Sequence, residues 1–277
     1  MRFVVTGGRG FIGRCVVEHL VKTGSEVIVP SSNEWRLGQP LPANCDQADG
    51  VIHLACSVLK ATTDRDAMAY LDYSGTALLL EQHRILKKEG KRGRFIFISS
   101  QSAGPAAVND YGRSKWAIEA QLNQDDEIIV RPGLVYSEDG GSVYGTLEKL
   151  SRMPVVPTPS TSPNIQPIDV NDLAEALYRI AQHPAAERLY YLGQKEPLTF
   201  RQMVSAIAAR SERRTPLCVP VPTSIVRLAG KSADFMLRPS SSLLERIDGL
   251  IALRAMETEA SLNNLELVLR DFTRKAK

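Results

Sequence analysis

The sequence lacks the features that mark membrane proteins and nucleic-acid-binding proteins. No apolar run approaches the roughly 18 residues that a membrane-spanning helix needs, and Met1 leads directly into a strand-like run rather than a signal peptide. The formal net charge is only +3, with no dense block of lysine and arginine, so nothing favours a nucleic-acid partner. We therefore expect a cytoplasmic protein that binds neither nucleic acid nor membranes.

Cysteine is also scarce, which excludes a disulfide framework. The four cysteines, Cys15, Cys45, Cys56 and Cys218, have neither CxxC nor CxxH spacing, so we expect reduced thiols and no metal site. Hydrophobic residues make up 43% of the 277 residues and charged residues 23%. This balance is typical of a globular domain large enough to enclose a small-molecule site.

Short apolar runs alternate with helical patterns through the first two thirds of the chain. Residues 3–5, 27–29, 51–54, 95–98 and 128–130 are rich in β-branched or aromatic residues and predict strands. The runs are continuous rather than alternating, which indicates strands buried on both faces, as in a parallel sheet covered by helices. The pattern therefore predicts an α/β fold with a doubly wound parallel sheet.

The composition changes after Arg131, where prolines crowd a segment that is also rich in serine and threonine. Residues 132–167 are predicted to be mostly loop, with little room for long helices. A helix is expected to restart at Asp172, a strand at 189–192 to return to the sheet, and the tail from about 198 to be mostly helical. The predicted division is a nucleotide-binding domain (1–133, continued by 165–195) and a small, mostly helical C-terminal substrate annex (134–164 and 196–277).

The stretch TGGRGFIG, residues 6–13, lies between the first predicted strand and the first predicted helix. Its first glycine permits a tight turn, its second lets a pyrophosphate approach the backbone, and its third lets the helix pack closely on the sheet. Exposed N–H groups and the helix dipole would favour an anion there. A tight turn without a ligand is the less favoured alternative. The predicted dinucleotide contacts are Gly7, Arg9, Gly10, Phe11, Ile12 and Gly13.

The end of the second strand decides which dinucleotide is favoured. An acidic residue there would accept the ribose 2′-hydroxyl of NAD, but no carboxylate occurs before Glu34. Ser31 and Ser32 can instead hydrogen-bond a 2′-phosphate, and Arg9 and Arg36 can supply positive charge. The pattern favours NADP, with NAD as the alternative if the two arginines are only solvated surface residues.

A serine, a tyrosine and a lysine follow the fourth predicted strand. The strand ends in Ser99 and Ser100, whose hydroxyls we expect to point toward the cofactor crevice. Tyr111 and Lys115 are spaced i, i+4, one helical turn apart. The lysine ammonium is expected to lower the phenol pKa from about 10 toward a working range. Ser100 would orient the substrate oxygen. The predicted catalytic residues are Ser100, Tyr111 and Lys115; a surface pair is the alternative for the last two.

Six ordered stretches together resemble one known family. They are TGGRGFIG (6–13), VIHLA (51–55), FIFISS (95–100), YGRSK (111–115), RPGLVY (131–136) and IQPIDVNDLAEAL (165–177). Over residues 3 to about 193 the chain resembles the extended short-chain dehydrogenase/reductases, which include NAD(P)-dependent sugar epimerases and dehydratases. The resemblance implies a Rossmann fold and hydride transfer to or from nicotinamide.

The resemblance also implies residue roles. Tyr111 would be the acid/base, Lys115 would bind the nicotinamide ribose, and Ser100 would contact the reacting oxygen. Leu54, Ala55 and Cys56 would pass beside the cofactor, and residues Pro132 to Val135 would line the nicotinamide carboxamide. Many relatives form dimers, so a homodimer is expected.

The chain departs from the family pattern in three places. Only about 20 residues separate the second strand from VIHLA, so the usual third strand is reduced or missing. Asp72 stands where relatives often carry an asparagine before a Gly-Thr pair. The interval from Ser100 to Tyr111 is short, which counts against the usual nucleotide-sugar substrate.

Three functions remain open from the sequence. The leading one is an NAD(P)-dependent oxidoreductase of the sugar epimerase/dehydratase type acting on a small molecule such as a nucleotide sugar. Simple dehydration is disfavoured because Gln101 and Ser102, which follow Ser100, are not carboxylates. The alternatives are an NADPH-dependent carbonyl reductase acting on a non-sugar ketone, and a non-catalytic NADP-binding sensor or assembly subunit. His53 is interpreted as a hydrogen-bonded structural residue.

Overall fold

A computed structural model describes residues 1–57, 65–91, 93–137, 142–161, 163–225 and 248–273. The strands are β1 (Arg2–Thr6), β2 (Glu26–Ile28), β3 (Gly50–His53), β4 (Phe95–Ile98), β5 (Glu127–Pro132), β6 (Leu134–Tyr136), β7 (Val155–Pro159), β8 (Pro167–Asp169), β9 (Leu189–Leu192) and β10 (Leu217–Val221). The helices are α1 (Phe11–Lys22), α2 (Arg65–Lys88), α3 (Asp110–Glu119), α4 (Ser142–Ser151), α5 (Val170–Gln182), α6 (Phe200–Arg210) and α7 (Thr258–Asn264).

The central sheet has six parallel strands in the order β2-β1-β3-β4-β5-β9. This arrangement confirms the predicted doubly wound parallel sheet. Register pairs Thr6 with His53, His53 with Phe97, and Ile98 with Val130. The carboxyl ends of β1, β3, β4 and β5 therefore meet at one edge of the sheet, where parallel α/β sheets bind their ligands.

Helices cover both faces of the sheet, which explains why its strands read as unbroken apolar runs. Every residue of β3 and β4 is buried. On one face α1 and α5 pack against each other and against the strands, with Val16, Leu20 and Leu177 fully buried. On the other face α2 and α3 pack together, with Leu79 and Leu80 buried against the sheet.

The sheet ends at β2, as the short interval before VIHLA predicts. Residues 29–49 are all described, and they form turns and one short 3-10 turn, Ala43–Cys45, rather than another strand. Trp35 and Leu41 are buried and pack this loop against the same face as α2. The Trp35 indole donates to the carbonyl of Gln39 at 2.8 Å.

The proline-rich segment after the sheet is more ordered than the composition predicts. Residues 142–151 form the helix α4, and β7 pairs in parallel with β10, with Val155 opposite Leu217. The expectation of mostly loop in this segment is wrong. Pro157 and Pro159 are tolerated because β7 lies in a two-stranded sheet, where one side of each strand needs no ladder hydrogen bonds.

Helix α5 begins at Val170, two residues before the expected start. The Asp169 carboxylate accepts a hydrogen bond from the Asn171 N–H at 2.8 Å and so caps the helix. The predicted strand at 189–192 is confirmed as β9. Helices α4 and α6 share a second core with the small β7/β10 sheet, whereas α7 packs on β9 and adds Leu262 to the main core. Residues 226–247 and 274–277 of the predicted annex lie outside the described residues, and the predicted domain division stays a prediction.

No helix within the described ranges is long and apolar enough to cross a membrane. All four cysteines lie within those ranges, and none of them forms a disulfide there.

A buried ion pair ties α2 to the start of β5. Glu127 is fully buried, and Arg84 binds both of its carboxylate oxygens, at 2.5 and 2.8 Å. The carboxylate also accepts the backbone N–H groups of Asn123 and Gln124. Burial alone would raise the pKa of Glu127, but the hydrogen bonds from Arg84 and these N–H groups outweigh it and lower the pKa.

We expect Arg84→Met to destabilise the fold by about 3 kcal/mol, because it leaves the buried Glu127 carboxylate without its cation. The measurement is the free energy of unfolding in urea. The control is Arg152→Met, which removes an arginine that is 56% exposed and pairs with Glu148, and which we expect to cost less than about 1 kcal/mol. Equal losses in the two variants would contradict this role for the buried pair.

Candidate active site

The glycine turn lies against the end of β3. Gly7 has a φ of +71°, and a Cβ at this position would be 2.8 Å from the backbone nitrogen of Ala55. A Cβ at Gly13 would be 2.2 Å from the carbonyl oxygen of Gly7. A side chain at Gly7 would therefore separate the turn from the segment after β3. A side chain at Gly13 would separate α1 from the turn. These contacts give the predicted glycine spacing a steric reason.

Helix α1 begins after a glycine, which has no side chain to cap the first-turn N–H groups. Gly10 is the N-cap and donates its own N–H to the carbonyl of Gly7 at 2.9 Å. No acidic residue occurs in the first turn of α1. The first-turn N–H groups and the helix dipole are therefore suited to an anion such as a pyrophosphate. Phe11 and Ile12 are half-buried, and Ile12 packs against the core.

The loop after β2 carries the groups predicted to contact a 2′-phosphate. Its first turn is held by Glu34, which accepts the Ser31 N–H at 3.0 Å. Hydrogen bonds from Ser31 and the positive charge of Arg9 lower the pKa of Glu34. The Arg36 Nε donates to the Ser32 carbonyl at 3.4 Å. Arg9 therefore acts electrostatically on the same turn as the two serines.

Sequence reasoning did not include Glu34 in this site. The signal was present, because a serine followed three residues later by a glutamate can form the reciprocal bonds of a capping box. The structure brings this carboxylate to Ser31, within the electrostatic influence of Arg9.

The two serines that follow β4 contact different parts of α3. Ser99 is buried and donates its hydroxyl hydrogen to Glu119 at the end of that helix, so the expectation that both hydroxyls face the crevice is wrong. Ser100 accepts the Ser102 N–H at 3.2 Å and hydrogen-bonds the phenol of Tyr111 at the start of the same helix.

Helix α3 presents Tyr111 and Lys115 on one face. The helix is capped by Asn109, whose side chain accepts the Gly112 N–H at 2.9 Å. Lys115 is buried, and its Nζ donates to the carbonyl of Ile98 at 2.7 Å. The same Nζ lies 5.8 Å from the ring centroid of Tyr111. The structure thus brings the three predicted catalytic side chains together.

Strand β3 ends in a buried histidine. The His53 ring hydrogen-bonds the hydroxyls of Thr6, at 2.6 Å, and Thr76, at 3.0 Å. Burial and the nearby charge of Lys115 lower the pKa of His53 to about 3, so the ring is neutral at physiological pH. Its interpretation as a hydrogen-bonded structural residue is confirmed.

The segment after β3 binds the carboxylate of Asp72 on α2, a second group to which sequence reasoning assigned no role. Leu54, Ala55 and Cys56 are half-buried beside the glycine turn. The Cys56 thiol donates to Asp72 at 3.1 Å, and the Ser57 N–H donates to the same carboxylate at 2.6 Å. The replacement of asparagine by aspartate in the sequence pattern was the signal that could have found it.

The turn between β5 and β6 completes the site. The carbonyl of Pro132 accepts the Gln101 N–H at 2.9 Å, which holds this turn against the loop after Ser100. Val135 is half-buried and pairs with Ile168 of β8. The predicted lining 132–135 therefore lies next to the loop that follows Ser100.

Residues 3–193 match the family model of the NAD dependent epimerase/dehydratase family. The chain belongs to this family. It is therefore a member of a family of enzymes that act on small molecules with a nicotinamide dinucleotide, and the fold and glycine turn described above fit such a cofactor.

The chain is similar at low sequence identity to several individual proteins. The chain is 25% identical over 265 residues to "NADH dehydrogenase [ubiquinone] 1 alpha subcomplex subunit 9, mitochondrial" of Dictyostelium discoideum, covering 87% of this chain and 70% of that protein. It is 29% identical over 199 residues to a ceramide reductase of Caulobacter vibrioides, covering 65% and 61%. The crystal structure of human epimerase family protein SDR39U1 with NADPH superposes with a TM-score of 0.65 at 18% identity, covering 96% and 99%.

The electrostatics of Tyr111 in this family member differ from the expectation. Burial raises the pKa of the phenol, and the ionisable groups of Cys56 and Asp72 raise it further, while the hydrogen bond with Ser100 opposes them. The expected lowering of this pKa is wrong for this structure, because burial, Cys56 and Asp72 together outweigh the hydrogen bond with Ser100, which alone lowers it among these causes. Tyr111 is therefore protonated at neutral pH.

We expect Gly13→Ala to weaken binding of NADPH at least about tenfold and to destabilise the fold by about 1 to 3 kcal/mol, because its Cβ would overlap backbone atoms of the turn. Cofactor fluorescence and urea unfolding measure the two effects. The control is Gly145→Ala in α4, where a Cβ would meet no atom within 4 Å; there we expect unchanged binding and equal or slightly higher stability. Normal cofactor affinity in Gly13→Ala would contradict the assignment.

Proposed function

We propose that this family member uses NADPH to reduce a carbonyl group of a small molecule, with Tyr111 as the proton donor. The observation that carries the proposal is a protonated, desolvated phenol hydrogen-bonded to Ser100 and one helical turn from Lys115. A general acid must hold its proton at the working pH, and this phenol does. The similarity to a protein named as a ceramide reductase also supports reduction as the reaction.

Each of the three side chains has a distinct task in this reaction. The bound nicotinamide supplies the hydride that reaches the carbonyl carbon. Ser100 donates a hydrogen bond to the carbonyl oxygen and so steadies the negative charge that develops there. Tyr111 gives its phenolic proton to that oxygen, which completes the alcohol. Lys115 then stabilises the phenolate until solvent returns the proton.

Members of this family include sugar epimerases, and epimerisation of a sugar would use the same three residues. The short interval between Ser100 and Tyr111 favours a compact ketone over a nucleotide sugar. A panel of ketones and keto-sugars distinguishes the two substrate classes, and stoichiometric consumption of NADPH distinguishes reduction from epimerisation, which regenerates the cofactor.

We expect Tyr111→Phe to lower the rate of NADPH-dependent reduction by about 10² to 10⁴-fold, the usual contribution of a positioned general acid. The affinity for NADPH should stay within about threefold, because the ring is retained. Steady-state kinetics on the best substrate of the panel, together with cofactor fluorescence, measure both effects. Turnover within a few-fold of the unaltered protein would rule out Tyr111 as the proton donor.

The choice of NADPH over NADH is supported by Arg9, which acts electrostatically on the Ser31 turn. We expect Arg9→Ala to weaken NADPH binding about 10- to 100-fold, the value of one charge-assisted phosphate contact, and NADH binding far less. The control Lys22→Ala removes the same charge at the opposite end of α1. Equal losses for NADPH and NADH would contradict the 2′-phosphate contact.

A second candidate function is a cofactor-binding subunit of a larger assembly. It is supported by the relative whose name describes a subunit and by an exposed apolar face on the β7/β10 sheet, formed by Val155, Leu217 and Val219. Exposed aromatic side chains on α2 and α3, Tyr70, Tyr73 and Trp116, are compatible instead with a homodimer. Light scattering on the purified protein distinguishes a monomer from a dimer. Retention of Ser100, Tyr111 and Lys115 favours the enzyme over the subunit.

A further inference from the structure

The small β7/β10 sheet has an outward side made of apolar residues. Val155 lies opposite Leu217, and Pro157 lies opposite Val219. All four residues are exposed, and Leu217 is 64% exposed. Val156, which lies between two of them, is fully buried in the second core. A sheet that covers a core on one side commonly presents polar residues on the other, so the four exposed residues, called the β7/β10 face below, depart from that pattern.

Prolines block the free edges of the β7/β10 sheet. The strands are joined from the Leu217 N–H, which donates to the Pro154 carbonyl at 2.9 Å. In this register, the backbone of Pro157 in β7 and of Pro220 in β10 points away from the partner strand. Neither edge can therefore offer a continuous row of N–H donors to an added strand. An occupant must rest on the face rather than extend the sheet.

Basic residues crowd the amino ends of both strands. The stretches 148–154 and 210–216, which lead into β7 and β10, contain five lysines and arginines and two glutamates. The first hydrogen bond between the two strands brings these stretches side by side. Lys149, Arg213 and Arg214 are exposed. One end of the β7/β10 face is therefore bordered by positive charge.

The size of the β7/β10 face favours a lipid surface over a second protein. Two strands of five residues cover roughly 16 Å by 10 Å, whereas a stable protein–protein interface buries about 800 Å² on each partner. A lipid surface needs no matching shape. It takes up a few apolar side chains at the headgroup boundary, and its anionic lipids attract cations beside them.

We propose that the β7/β10 face docks this protein on a membrane that contains anionic lipids, with Leu217 and Val219 entering the headgroup region and Arg213 and Arg214 facing the lipid phosphates. Docking of this kind needs no spanning helix. It differs from the sequence-based expectation of a protein without membrane contacts. The inference is independent of the proposed reduction, because the β7/β10 sheet is separate from the six-stranded sheet that carries the candidate active site.

Co-sedimentation of the full chain with vesicles tests this inference without cofactor or substrate. One set of vesicles is phosphatidylcholine alone, and the other contains phosphatidylcholine and phosphatidylserine at about 3:1. We expect binding to the mixed vesicles to be at least about tenfold tighter, because several basic residues border the face. In about 1 M salt this preference should disappear, since charges are then screened within about 3 Å. Equal binding to both kinds of vesicle, or binding to neither, would overturn the inference.

Substitutions locate the contact on the protein. Leu217→Ser should weaken binding to the mixed vesicles about tenfold, because its apolar area no longer leaves water. Arg214→Ala should weaken binding about fivefold, the effect of one basic residue near an anionic surface. The matched controls are Val268→Ser, at a 91% exposed apolar residue outside the β7/β10 sheet, and Lys88→Ala, at the end of α2. Both controls should bind as the unaltered protein does.

Val219→Ser replaces Leu217→Ser if the first variant does not fold. Vesicle binding that survives in the folded serine variant, or that falls equally in Val268→Ser, would refute docking through this face. Light scattering covers the remaining occupant. We expect Leu217→Ser to leave the oligomeric state unchanged. A dimer of the unaltered protein that this substitution converts to a monomer would assign the face to a second copy of the chain and overturn the inference.

Discussion

The close approach of Gly7 to the backbone that follows β3 is the constraint on which the site depends. A Cβ at Gly7 would lie 2.8 Å from the nitrogen of Ala55, so only glycine lets the turn after β1 meet the segment after β3. That contact places the glycine turn beside Leu54 and Ala55, and the parallel register brings the end of β4, which precedes Ser100, to the same edge. The glycine turn and the candidate catalytic residues lie at one edge of the sheet for this reason.

Burial decides the protonation state of Tyr111. It raises the pKa of the phenol, and the nearby groups of Cys56 and Asp72 raise the pKa further, while the hydrogen bond with Ser100 opposes them. The protonated phenol is the state that the proposed role of Tyr111 as proton donor requires.

The parallel sheet and the glycine turn could be predicted from the sequence, because their signals lie in short stretches of the chain. Continuous apolar runs gave the parallel strands, and glycine spacing gave the turn. Helix α4 and strand β7 could not be predicted from the sequence, because the proline-rich composition favours loop. Strand β7 forms by pairing with β10, which lies far along the chain. The hydrogen bond from Ser99 to Glu119 could not be predicted, because it depends on how α3 packs against the end of β4. The raised pKa of Tyr111 could not be predicted either, because it depends on burial by segments that lie far apart in the sequence.

Amide hydrogen exchange with and without NADPH tests most directly whether this edge binds the dinucleotide. The account predicts protection on cofactor addition in residues 7–13, in the segment 54–57 and at the start of α3, because their backbone N–H groups line one crevice. Protection confined to the β7/β10 sheet, or no change in a folded protein at saturating cofactor, would contradict it.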